Sequence, residues 1–153
     1  MIAEFEGLEQ SEKDLMYSLP IYVAVLIAGA DGKIDNHELK KAVAISNLKT
    51  TKARKDLIDF YNEVNTDYED KLKMTIANLP STTKEREKLL IEEIGKVNAI
   101  WPKIESSFAV KLYASLKEIA KHIAEASGGV FGYMSVGYEE SKLIDLKMIK
   151  KPA

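Results

Sequence analysis

Apolar residues recur every three or four positions through most of this chain, a spacing that predicts helices nearly from end to end. Ser11 is expected to open the first segment. Pro20 is expected at a kink or in the first turn of a second. The run "PIYVAVLIAGA" is apolar on every side and rich in β-branched residues, so alone it would also suit a buried strand. No other run could pair with it, and one strand makes no sheet; we therefore read a fully buried central helix ending near Gly29.

Leu39 and Val43 mark the apolar side of a helix that begins after Asp35. Leu57, Tyr61 and Val64 mark another, following Thr50 and Thr51. Thr66 and Glu69 fit a capping box opening a helix that carries Tyr68, Leu72, Ile76 and Leu79 inward, until Pro80 and Ser81 break it. Thr82 and Glu85 fit a second box, followed by one stripe of Leu90, Ile94, Val97 and Trp101. Pro102 is expected in the first turn of a long helix with Leu112, Leu116, Ile119 and Ile123 on its core face, stopped by Gly128 and Gly129. A last helix from about Tyr138 would bury Leu143 and Leu146, with Ile144 beside them. The expected fold is thus all-α: one compact domain of about seven helices over residues 11–149, with an N-terminal arm (1–10) and a short tail (150–153).

A chain of 153 residues can bury a core of this kind without staples. It contains no cysteine, which excludes disulfides, thiolate zinc sites and thiol nucleophiles. The formal net charge of −2 gives no electrostatic reason to expect nucleic acid or an anionic membrane. Lys142, Lys147, Lys150 and Lys151 gather near the end and read as a solvated face and tail. The N-terminus lacks the basic and apolar pattern of a secretory signal, and the apolar run from Leu19 to Ala30 is too short to span a bilayer. The expectation is a cytoplasmic protein without membrane insertion.

Candidate chemistry concentrates in "DGKIDNHE", residues 31–38. Asp31, Gly32, Lys33, Ile34, Asp35 and Glu38 fit positions 5, 6, 7, 8, 9 and 12 of an EF-hand loop, whereas positions 1 and 3 fall on Ile27 and Gly29, which bring no carboxylate. The residues are also explained without metal. Asp31-Gly32 is a turn signal, Asp35 an N-cap, Glu38 an acidic variant of the capping partner, and Ile34 can staple onto Leu39. Yet three carboxylates so close together repel one another unless something screens them. A hard cation with oxygen ligands would fit, calcium before magnesium because the geometry is loose.

Half of the glycines, Gly128, Gly129, Gly132 and Gly137, fall in "SGGVFGYMSVG", a second place to look for function. There Val136 and Glu140 repeat the Ile34 to Glu38 spacing, although Glu139 and Glu140 are also what the first turn of any helix prefers. Phe131, Tyr133 and Met134 are candidate anchors for a protein partner, or else core residues between the last helices. His37 could lend a nitrogen to zinc or manganese, but a solvent-facing role explains it more simply. His122 is expected to be a partly buried structural residue. No serine or threonine sits in a nucleophile elbow, and "ASGGVFGYMS" lacks the Walker lysine pattern and a preceding strand. Enzymatic activity is not expected.

"PIYVAVLIAGADGKIDNHELKKAV" together with "IAEASGGVFGYMSVGYEESKLI" resembles the TerB-like family, named for a tellurite-resistance protein. Members typically show an apolar helix running into A-D-G-x-I-x-x-x-E, and many end with a glycine-rich segment and an I/V-x-x-x-E element. The resemblance spans residues 11 to 149. It implies about seven helices with an approximate internal duplication. It also implies a divalent-cation surface on which Asp31, Asp35 and Glu38 match the first element and Glu140 the second, Tyr133 and Gly137 standing where the first element has carboxylates. Family members occur in stress-response and membrane-associated contexts. Direct tellurite chemistry is not expected, because the chain has no thiol and an oxyanion avoids an acidic patch.

Overall fold

The computed structural model describes residues 2–29, 55–127 and 143–152. Within them the chain forms five α-helices and no strand: α1 (Gln10–Ala28), α2 (Lys55–Asn65), α3 (Tyr68–Asn78), α4 (Thr83–Gly95) and α5 (Ser106–Ser127). Two further expected helices, after Asp35 and from Tyr138, fall wholly or largely outside the described residues. Only the end of the second is seen, where Leu143 and Leu146 are buried and Ile144 packs partly against the core.

The apolar run after Pro20 forms the centre of the fold, as its all-round hydrophobicity predicts. Every residue from Val23 to Ala28 is buried, and α1 packs against α5 and α4 most extensively, then α3 and α2. Pro20 neither starts a second helix nor ends the first; it lies in the interior of one continuous helix. That helix opens with a capping box the sequence did not suggest, because glutamate occupies the N-cap. Glu9 accepts from the N3 backbone, and the Glu12 carboxylate accepts from the Glu9 N–H at 2.9 Å. Lys103 Nζ donates to the other Glu12 oxygen at 2.6 Å, holding its carboxyl below the usual carboxylate range.

Other local expectations need correcting. The Thr66–Glu69 box is not formed: α3 has Asp67 as its N-cap without a side-chain cap bond, and the Thr66 hydroxyl turns back to donate to the Asn62 carbonyl at 3.1 Å. The Thr82 hydroxyl does cap α4, accepting from the Glu85 N–H at 3.4 Å. The stripe from Leu90 to Trp101 is buried as expected but is not one helix. The α-helix ends at Gly95, and two 3-10 turns, Lys96–Ala99 and Trp101–Lys103, carry Val97 and Trp101 inward. Pro102 belongs to the second of these turns rather than to α5.

The N-terminal segment contributes to the core through Ile2, Phe5 and Leu8. A 3-10 turn over Ala3–Phe5 buries Phe5 in an aromatic cluster, with ring centroids 5.3 Å from Tyr17, 6.0 Å from Phe60 and 5.6 Å from Phe108. Tyr17 and Phe60 stack at 5.7 Å, so the cluster joins the N-terminal segment to α1, α2 and α5. At the other end Asn98 clasps the final segment, donating to the Met148 carbonyl at 2.8 Å and accepting from the Lys150 N–H at 2.7 Å.

Candidate functional site

Asp31, Asp35, Glu38, Glu140, Phe131, Tyr133, Met134 and His37 all lie outside the described residues. What the structure fixes is the point from which the acidic turn departs. Ile27 is buried in α1, and Gly29 is the helix C-cap, its N–H bonded to the Val25 carbonyl at 3.0 Å. The residues in positions 1 and 3 of the EF-hand register, Ile27 and Gly29, therefore belong to a core helix and its end and bring no carboxylate.

Arg86 of α4 reaches this helix end. Its Nη2 donates to the Gly29 carbonyl at 3.4 Å, and the residue is only 8 % exposed. Position 29 is where glycine allows the approach: a Cβ there would lie 3.3 Å from both Nε and Nη2 of Arg86. A guanidinium at a helix C-terminus faces the negative end of the dipole, where orphan carbonyls collect. Sequence reasoning passed over Arg86, although a signal was present. It precedes Leu90 and Ile94 by four and eight residues and so lies on the same buried stripe.

Elsewhere among the described residues a buried polar link joins two helices. The hydroxyls of Tyr61 (α2) and Ser115 (α5) are hydrogen-bonded at 2.5 Å, both buried. Burial pushes the Tyr61 phenol well above the usual phenol range, and burial does the same to Tyr68 on α3. A raised folded-state pKa means that both phenols support the fold fully below the pKa of an unfolded tyrosine. That support is lost as pH rises from there toward the folded value, at about 1.4 kcal/mol per pH unit for each ring. Stability is thus expected to fall steeply above about pH 10, tyrosinate absorbance appearing together with loss of helical circular dichroism; ionisation without unfolding would contradict the buried placement.

The described surface carries grooves, two of which adjoin α1 or α2. One of about 420 Å³ lies between α1, α3 and α4, lined among others by Tyr22, Leu79, Leu90 and the 63 % exposed Met74. The other, about 440 Å³, lies between the N-terminal segment and α2, with Glu4, Asp59 and Glu63 on its walls. Among the described residues, no group of three or more His, Asp or Glu side chains is placed to hold a metal ion. No helix among them is long and apolar enough to cross a membrane. His122, expected to be partly buried, is exposed on α5. Comparison with family models, with curated proteins and with solved structures finds no match to this chain.

Proposed function

We propose that the chain is a non-enzymatic helical module of the stress-response type. Its acidic turn, Asp31, Asp35 and Glu38, with Glu140 as a more distant contributor, takes up a divalent cation, calcium ahead of magnesium or manganese. The observation that carries this reading is the D-G-x-I-D-x-x-E spacing placed directly after a buried helix. The end of α1 at Gly29 supports it, because the residues that precede the motif form a packed, buried helix. Two or three carboxylates from one turn bind a hard cation weakly unless a second segment joins them, which is the part assigned to Glu140. Cation binding would fix the turn and the chain beyond it and so alter what a partner protein meets.

Thermal unfolding tests this reading. Calcium at about ten times its dissociation constant stabilises the native state by about 1.4 kcal/mol. For a chain of this size that raises Tm by roughly 3–6 °C over the value in EDTA. Asp31→Ala/Glu38→Ala is expected to abolish the rise. Identical wild-type curves with and without calcium, magnesium or manganese would leave the alternative standing: a metal-independent scaffold that binds a protein partner, with Phe131, Tyr133 and Met134 as its anchors.

A further inference from the structure

Among the described residues, Leu146 is the one non-glycine residue with a positive φ, 49°. It lies just beyond the helical residues 143–144, where a left-handed turn usually carries glycine because glycine has no Cβ to clash. A leucine in this conformation is strained and keeps it only where its surroundings hold it there. Here the surroundings are the core, in which Leu146 and Ile149 are both buried. Burial and the left-handed turn are therefore coupled, since only the burial offsets the strain. The same stretch is fastened to the body by a side chain. Asn98 donates to the Met148 carbonyl at 2.8 Å and accepts from the Lys150 N–H at 2.7 Å, gripping the backbone on both sides of Ile149. The Met148 carbonyl also lies against the end of α4, 3.7 Å from where a Cβ on Gly95 would stand. The Leu146 and Ile149 N–H groups donate to the Leu143 and Leu146 carbonyls, both at 2.9 Å, bonds that shape the stretch without tying it to the helices.

We infer that residues 145–150 form a strap with two states, docked and released, latched by Asn98 and strained at Leu146. In the docked state Asn98 holds the backbone, Leu146 and Ile149 fill the core, and Asp145, Lys147 and Lys150 face solvent. On release the two bonds to Asn98 part, Leu146 relaxes to negative φ, and both apolar side chains meet solvent while α1 to α5 stay folded. The strain belongs to the docked state alone, so it favours release and sets the strap apart from the helices as a unit that opens first. The inference is independent of cation binding at the acidic turn.

Native-state amide exchange in increasing urea tests this. After correction for intrinsic rates, the amides of Ile149 and Lys150 are expected to exchange at least about tenfold faster than that of Leu116 in α5. Urea should hardly accelerate them, because release exposes little surface, whereas Leu116 should respond steeply. One common rate and urea dependence would mean that the strap opens only with the whole fold, and would overturn the inference. A core variant, Phe60→Leu, separates the two cases again. It weakens the docked and released states alike against the unfolded chain, so Leu116 exchange should quicken while Ile149 exchange stays at its wild-type rate. Equal quickening at both amides would contradict a separate strap. Asn98→Ala is expected to speed Ile149 exchange by about tenfold, the loss of the latch; an unchanged rate would remove Asn98 from that role. Should either variant fail to fold, the urea dependence of the wild type still decides.

Discussion

Phe60→Ala is expected to destabilise the protein by about 3–5 kcal/mol, the cost of emptying a large aromatic site in a core that cannot collapse around it. Phe60 is fully buried and meets rings from three other parts of the chain: Phe5 at the N-terminus, Tyr17 on α1 and Phe108 on α5. Its neighbour Tyr61, at 5.1 Å, is held by the hydrogen bond to Ser115. Because the walls of the cavity are rings anchored from separate elements, relaxation of one is opposed by the others, and the loss should lie toward the upper end of the range. Urea unfolding checks this, with Met74→Ala as the control, which at an exposed position should change stability by less than about 0.5 kcal/mol. A Phe60→Ala loss below about 1 kcal/mol would mean that the aromatic cluster is not packed as described.

Ala24→Asp should be more damaging still. Ala24 is 0 % exposed in the middle of α1, between Val23 and Val25, both fully buried. A carboxylate there must either ionise without water or stay protonated with a strongly raised pKa. An unfolded aspartate ionises above about pH 4. The ionisation part of the penalty is therefore absent below that value, leaving the cost of packing a neutral carboxyl, and it grows by about 1.4 kcal/mol per pH unit until the folded-state pKa is reached. Over three pH units this approaches the whole stability of an ordinary domain, about 5–15 kcal/mol. The variant is expected to be unfolded at neutral pH by circular dichroism and to gain helicity as pH is lowered toward about 4. A folded, pH-insensitive variant would place residue 24 at the surface and remove α1 from the centre.

Those two positions show unequally how the fold is written in the sequence. The burial of α1 is legible because its apolar residues face every direction, which only a helix surrounded by others tolerates. The long helix α5 is legible from Leu112, Leu116, Ile119 and Ile123, all buried at helical spacing. The aromatic cluster is not, since Phe5 and Phe60 are separated by the whole of α1 and by residues 30–54, and no local pattern brings them together. Tyr61 and Ser115, 54 residues apart, are hidden for the same reason.

Local rules also misled where one residue had two uses. Thr66 satisfies the capping-box spelling, but its hydroxyl finds the Asn62 carbonyl of the preceding helix instead. Glu9 does not satisfy the usual spelling yet completes the one reciprocal box recorded among the described residues. Arg86 stands on a visible apolar stripe although charged residues are expected to point outward; it is buried, and its Nη2 donates to the Gly29 carbonyl. The acidic turn and the glycine-rich segment were legible as motifs only, their residues lying outside those the structure describes.

The most direct test of the account is a calorimetric titration of calcium into EDTA-stripped protein, compared with Asp31→Ala/Glu38→Ala. The account predicts saturable binding at one site, lost in the double variant while its helical content stays that of wild type. Absence of binding to wild type, or equal binding to both proteins, would contradict the assignment of this turn as a divalent-cation site.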